Sequence, residues 1–355
     1  MKILILRFSS IGDIVLTTPV IRAVREQVPG AVVHFCTKPA YQAMLTANPH
    51  VARVHCLTGS LGELVAELKA EKFDFVVDLH HNLRTTLLKA RLGVKSASFD
   101  KLNWRKWLLV NAKINTLPHL HVVDRYLAAA APLGVKNDCK GLDYFIPAPD
   151  EVNVATALPP AFERGYVAFA IGAQHATKRL PVERIIELCG LLRQPVVLLG
   201  GPEDESTGHV IELAFDEGAA TSPPAPGRIP NSPYYFAPSP TTDHQQLTTI
   251  YNACGKFNLN QSASLVRQAR FVVSHDTGLM HIAAAFGKEI FSVWGNTVPE
   301  FGMYPYRTEF RVLEVRGLPC RPCSKIGYAK CPQGHFRCMR DIPFNLDLPP
   351  SRDGR

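Results

Sequence analysis

The chain has no run of eighteen or so consecutive apolar residues, which excludes a membrane-spanning helix from the reading. Its opening, M-K-I-L-I-L-R-F, is too short an apolar run for a secretory signal, and no small-residue cleavage site follows. It reads instead as a first β-strand, and the protein as cytosolic. The glycine fingerprint G-x-G-x-x-G is missing, which disfavours a nicotinamide oxidoreductase. No D-x-D pair stands at a convincing strand end to hold a metal-bound diphosphate, and no repeat or coiled-coil period appears. The nine cysteines do not form a disulfide framework in a cytosolic chain. Cys36, Cys56, Cys139, Cys189 and Cys254 lie scattered in apolar or mixed contexts, as buried small hydrophobes do.

What is present points to two α/β domains. The 355 residues exceed what one core usually fills, and 46% hydrophobic with 20% charged residues is ordinary for a soluble globular protein. A net charge of +8 predicts an anionic partner: nucleic acid, an anionic membrane or a phosphorylated substrate. Strands are expected over 2–8, 31–37 and 73–79, with helices over 14–27 and 60–71. That alternation argues for a parallel sheet covered by helices on both faces. A proline-rich stretch over 146–160 suits an interdomain linker, after a first domain of residues 1–150. The pattern resumes over 161–319 with strands at 166–171, 195–200, 271–274 and 290–294 and a helix at 182–192. A Pro- and Ser-rich stretch over 219–243, holding Tyr234 and Tyr235, reads as a surface loop. Residues 320–355 form a cysteine-containing end.

The most informative segment is Ser274–Gly287, S-H-D-T-G-L-M-H-I-A-A-A-F-G. A β-branched strand turns through polar residues into a small-residue helix. The start of that helix aims free N–H groups and a positive dipole end at whatever lies above the strand, which suits a phosphate. Asp276 and Thr277 are good capping residues, and Thr277 and Gly278 let the backbone approach a ligand. Asp276 can also take a ribose or base donor, and His281 lies within reach of a diphosphate oxygen.

These residues resemble the sugar-nucleotide signature of glycosyltransferase family nine, the lipopolysaccharide heptosyltransferases, which reads close to D-T-G-L-x-H-L-A-A-A. The resemblance extends to three further segments in family order. It implies the GT-B architecture, two Rossmann-like domains facing a cleft. It also implies inverting, metal-independent transfer of a sugar, heptose from ADP-heptose, onto a lipid A–core type glycolipid at the cytoplasmic face of the inner membrane.

The first of those segments is S-S-I-G-D, where Gly12 permits a tight turn and Asp13 faces the cleft. The resemblance makes Asp13 the catalytic base; alternatively it only caps the next helix. In G-A-Q-H-A-T-K-R-L-P, Thr177 and Lys178 follow a strand, and a lysine there stabilises a departing diphosphate. The resemblance aligns Lys178 with a diphosphate contact. In G-G-P-E-D-E it aligns Glu203 with a ribose-binding acid, while acids in a first helical turn also simply suit the dipole.

The acceptor is expected on the first domain. His80, Asn82 and Arg84 follow a strand in D-L-H-H-N-L-R-T, and Lys101, Arg105 and Lys106 interleave with Trp104 and Trp107. This patch suits a phosphorylated glycolipid or the membrane interface, nucleic acid, or merely an amphipathic surface helix. Cys320, Cys323, Cys331 and Cys338 are either reduced structural thiols or a structural zinc or iron site; no cofactor is expected for catalysis. A zinc-stabilised basic nucleic-acid binder is the competing reading of another class. It leaves Asp13, Lys178, Asp276 and His281 without a purpose, so no nucleic-acid partner is expected. Transfer from another nucleotide sugar is the alternative within the class.

Overall fold

The computed structural model describes residues 1–216 and 248–346; the expected loop over 219–243, with Tyr234 and Tyr235, lies outside the described residues. Eleven strands form two sheets among the described residues. The first contains β1 (Lys2–Leu6), β2 (Val32–Thr37), β3 (Arg53–Cys56), β4 (Phe75–Asp78) and β5 (Ser96–Ser98), in the order β3-β2-β1-β4-β5. The second contains β6 (Val167–Ala170), β7 (Val196–Leu199), β8 (Ile250–Asn252), β9 (Val272–His275), β10 (Ile290–Trp294) and β11 (Phe310–Glu314), in the order β11-β10-β9-β6-β7-β8. Every pairing is parallel. The central strands are continuous apolar runs buried on both faces, so helices must cover both sides.

Local chemistry sets the helix ends. The helix Leu61–Ala70 starts on a reciprocal capping box: Ser60 Oγ accepts the Glu63 N–H at 3.2 Å and the Glu63 carboxylate accepts the Ser60 N–H at 3.3 Å. Leu64, Val65 and Leu68 form its buried stripe, against Leu4, Leu6 and Val76 of the sheet. The single helix expected over 14–27 is two, Ile11–Val15 and Thr18–Gln27. Pro19 has no N–H to donate and sits comfortably only in a first turn, so it opens the second helix rather than continuing the first.

The proline-rich stretch is not a loose linker. It folds into a tight turn at Ala148–Asp150 and a short helix at Val154–Ala157. Asp150 accepts from Asn258 and Asn260 at 2.8 Å each, and Val152 N donates to Ser264 Oγ at 3.0 Å. One apolar cluster runs from Ile3 and Ile5 of β1 and Val20 of the helix Thr18–Gln27 to Met280 and Ile282 of the helix Gly278–Ala285 and Trp294 of β10. The cysteine-containing end folds back as well, with Cys338, Met339 and Ile342 packed against β6 and β7 residues.

Each sheet reverses its strand order once, between β1 and β4 and between β6 and β9. Ligands of open α/β sheets bind outside the carboxyl ends of the strands at such points. Asp13 follows β1, His80 follows β4, Lys178 follows β6 and Asp276 follows β9. These four segments therefore flank the two switch points, while Glu203 follows β7, one strand away.

Candidate active site

The two halves meet at a pair of helix starts. A Cβ placed on Gly12 would stand 2.6 Å from His281 Cδ2 and 3.5 Å from Gly278 Cα. One placed on Gly278 would stand 2.5 Å from Ile11 Cγ2 and 3.3 Å from the Gly12 nitrogen. Only residues without a side chain allow the helices Ile11–Val15 and Gly278–Ala285 to approach this closely.

Asp13 lies beside that contact. One carboxylate oxygen pairs with Arg7 Nη2 at 2.6 Å; the other accepts from Ser10 Oγ at 2.9 Å and Ser10 N at 3.2 Å. Burial alone would raise its pKa, but the Arg7 charge and the Ser10 hydrogen bonds outweigh it and hold Asp13 below the usual carboxylate range. A fifth of the side chain remains exposed. Asp13 does take part in the capping of its own helix, so the capping reading holds without displacing the other. Arg7 is itself fixed, donating to Ser9 O at 2.7 Å, to Leu79 O and to Tyr126 Oη at 2.9 Å.

Opposite, Lys178 Nζ donates to Asp276 Oδ2 and to the Asp276 carbonyl at 3.2 Å. Thr297 Oγ1 donates to the same carboxylate at 2.9 Å. Thr277 is the cap residue of the helix Gly278–Ala285, in extended conformation, and its side chain makes no capping bond. The first backbone N–H groups of that helix are not met by a side-chain cap. His281 is only 2% exposed, burial lowers its pKa to about 4, and its Nδ1 has no partner. It is a neutral imidazole wedged against Gly12, feeling the charges of Asp276, Asp13 and Lys178 together.

Three residues stand differently from expectation. The Thr177 hydroxyl is committed to Tyr328, accepting from its N–H at 2.8 Å and donating to its carbonyl at 3.2 Å. It joins the cysteine-containing end to the turn after β6, where the residue is buried. Glu203 points to solvent, while Asp204, 3% exposed, turns inward to accept from Gly201 N at 3.0 Å and pair with Arg179 at 3.2 Å. The tight turn Pro202–Asp204 carries its third residue back over Gly201, so alternate residues face opposite ways. Asn82 caps the helix Leu83–Leu92, its Oδ1 accepting the Thr85 N–H at 3.0 Å.

On the first domain, Phe8, Lys38, Leu61, His80, Leu83 and Arg84 line a cavity of about 510 Å³. Lys38, Leu57, Leu61 and Arg84 line a neighbouring one of about 630 Å³. Two cations thus stand among apolar walls. Burial, reinforced by Arg7, lowers His80 to about 4, so it is neutral. Lys101 and Lys106 both feel the Asp13 charge; burial lowers each, Lys106 to about 8. Arg105 is exposed and donates to Thr116 O at 3.1 Å. Trp104 and Trp107 stack with centroids 5.1 Å apart and planes 7° apart, both exposed.

Cys320, Cys323, Cys331 and Cys338 are free thiols, with Cys320 Sγ 3.8 Å from His335 Nε2. Burial raises Cys323, and raises Cys338 to about 12. Their sulfurs do not make a group of three or more donors within 4.8 Å; among the described residues that is done by His34, His55 and Glu71 instead. Arg7, Lys38 and Thr297 were missed in the sequence, where only the position of Arg7 at the end of the first strand gave any signal; Asp204 is the immediate neighbour of the acid chosen by alignment.

The description Glycosyltransferase family 9 (heptosyltransferase) matches residues 61–218 and 241–331. Lipopolysaccharide heptosyltransferase 2 of Salmonella typhimurium is 22% identical over 96% of this chain and 95% of its own. The crystal structure of a family 9 glycosyl transferase from Veillonella parvula aligns with a TM-score of 0.66 at 22% identity, covering 88% of this chain and 86% of that one. The ADP-heptose lps heptosyltransferase II of E. coli aligns with a TM-score of 0.64 at 21% identity, covering 96% and 98%. The fold is GT-B, and the chain belongs to glycosyltransferase family 9 and is a glycosyltransferase enzyme.

Proposed function

We propose that this enzyme transfers heptose from ADP-heptose, with inversion and without a catalytic metal, to a lipopolysaccharide-core glycolipid. The observation that carries the reading is the contact of the two helix starts at Gly12 and Gly278, which sets Asp13 and the Lys178–Asp276 pair on either side of one seam. The relatives' names supply the sugar and the acceptor class.

In this reading Asp13 takes the proton of the acceptor hydroxyl as its oxygen bonds to the anomeric carbon. The bond from that carbon to the diphosphate oxygen breaks, and ADP leaves from the opposite face. Lys178 gives two of its three donors to Asp276, which leaves the third for a diphosphate oxygen. The start of the helix Gly278–Ala285 offers its uncapped N–H groups to the same charge. These groups supply the positive charge that a divalent ion supplies in metal-dependent transferases. Glu203, exposed after β7, is the acid for a ribose hydroxyl, and the buried Asp204 braces that turn through Gly201 N and Arg179. Lys38 and Arg84, cationic among leucines, suit an anionic amphiphilic acceptor. The Trp104–Trp107 pair beside Lys101 and Lys106 supports contact with the inner membrane at its cytoplasmic face. Domains of residues 1–150 and 161–319, with a structural end from 320 and thiols of zinc- or iron-binding type at Cys320, Cys323, Cys331 and Cys338, belong to the same proposal.

Mass spectrometry of a core-truncated lipopolysaccharide after incubation with ADP-heptose tests it. One added heptose is expected, abolished by Asp13→Asn with donor binding retained. Transfer that survives Asp13→Asn undamaged refutes the assignment of the base.

A further inference from the structure

The first domain holds a second polar cluster that the transfer reaction does not use. His34 on β2 and His55 on β3 lie on one face of the sheet, because Arg53 pairs with His34 and His55 with Cys36, two residues further along each strand. Both imidazoles are buried, 4% and 1% exposed, and Phe73 packs edge-on against each. His34 Nδ1 and His55 Nε2 face each other at 2.9 Å. The helix Leu61–Ala70 crosses above and brings two carboxylates. Glu67 Oε1 lies 2.6 Å from His55 Nδ1, and Glu71, at the helix C-cap, has a carboxylate oxygen within 4.8 Å of a ring nitrogen of each histidine.

We propose that His34, His55 and Glu71 form a binding site for a divalent transition-metal ion of the zinc class, outside the catalytic cleft. A single proton between the facing nitrogens belongs to His34 Nδ1 in this arrangement; when it moves to His34 Nε2, each facing nitrogen presents a lone pair that a divalent ion can use. The Glu67 carboxylate fixes the His55 proton on Nδ1 and turns the Nε2 lone pair inward, the carboxylate–imidazole–metal arrangement that raises ligand basicity. Two nitrogens and one carboxylate leave a fourth position for water and suit Zn²⁺ better than Mg²⁺ or Ca²⁺. Lys2 Nζ, 2.9 Å from Glu71 Oε2, and Arg53, paired with the other oxygen, compete with the ion for that carboxylate. Lys2 is a third exposed and swings to solvent when the ion enters. The bound ion ties β2, β3 and the end of the covering helix together, and so stabilises the folded chain. His34 pairs across β1 with Leu4, three residues before Arg7, so the ion lies roughly 10 Å along the strand from the catalytic end.

Cobalt(II) and zinc(II) titration of the reduced, metal-stripped full-length protein tests this. One equivalent of Co²⁺, in addition to any that Cys320, Cys323, Cys331 and Cys338 bind with a sulfur charge-transfer band, is expected to give d–d absorption without that band, with a Zn²⁺-dependent rise in melting temperature. His55→Gln removes that equivalent and the rise. Glu67→Gln weakens binding by about 10- to 100-fold, and Lys2→Gln, which removes a competing cation, tightens it. Should His55→Gln fold poorly, the Lys2→Gln comparison still decides, since it alters no ligand. Bound cobalt that shows only the thiolate band overturns the proposal. So does stoichiometry unaltered in His55→Gln, or weaker binding in Lys2→Gln.

Discussion

Gly12→Ala isolates the contact on which the active-site account rests. The added methyl would stand 2.6 Å from His281 Cδ2, closer than real Cβ atoms come to a neighbour, and a tight 3.3 Å from Nε2. His281 is 2% exposed and belongs to the helix packed on Gly12, so the ring has nowhere to swing. The two helices must separate by several tenths of an ångström. Overpacking of this kind costs about 1–3 kcal/mol, which at roughly 2–4 °C per kcal/mol lowers the melting temperature by roughly 2–12 °C. Because the shift parts Asp13 from the donor cradle, kcat should fall more than donor affinity does. Gly190→Ala is the control. Gly190 lies inside the helix Val182–Leu192 with nothing within 4 Å of its added methyl, so that change should stabilise by about 0.5–1 kcal/mol. The clash also predicts a double-mutant cycle. His281→Ala removes the obstructing ring, so the loss caused by Gly12→Ala should shrink in its presence, with a coupling of about 0.5–3 kcal/mol. Thermal denaturation of the four proteins measures it. Additive losses, or a Gly12→Ala protein as stable as the parent, would refute the close approach.

Other outcomes follow from the same geometry. Asp13, held below its ordinary value of 3.8, is ionised throughout the neutral range; the stability from its Arg7 pair is present above that value and lost only as the pH falls through the lowered one. Arg7→Met leaves only the Ser10 hydrogen bonds to oppose burial, so the acidic limb of kcat/KM should move to higher pH, and a profile that stays in place contradicts the role given to Arg7. Lys178→Met removes a preorganised donor to the leaving diphosphate and should lower kcat by about 10²- to 10³-fold in steady-state assays. A Trp104→Ala, Trp107→Ala double variant should lose affinity for anionic vesicles in sedimentation while keeping transfer to a detergent-solubilised acceptor; unchanged sedimentation would end the membrane assignment.

How much of this was legible in the chain differs from element to element. β4, β6, β7, β9 and β10 are short apolar runs buried on both faces, and periodicity finds such strands within two residues of their ends. β3, β5, β8 and β11 were missed. They stand at sheet edges or beside them, and R-V-H-C, S-A-S and I-Y-N hold too few apolar residues to announce a strand. The segments with Asp13, Lys178 and Asp276 were readable because each follows a recognisable strand and ends in a turn residue. Contacts remote in sequence were not. Nothing near Thr177 reveals that its hydroxyl meets Tyr328, 151 residues on. Nor does P-E-D-E show which acid turns inward, since that depends on how a tight turn curls over Gly201. The His34–His55 pair needed the register of two strands, one of which the sequence had not revealed.

Calorimetric binding of ADP-heptose, set against UDP-sugars, GDP-sugars and NAD and repeated with Asp276→Ala, tests the central claim most directly. The account predicts preferential binding of ADP-heptose, lost or strongly weakened in Asp276→Ala, which removes the carboxylate that holds Lys178 and Thr297 together. Preference for another nucleotide, or ADP-heptose binding indifferent to Asp276, would contradict it.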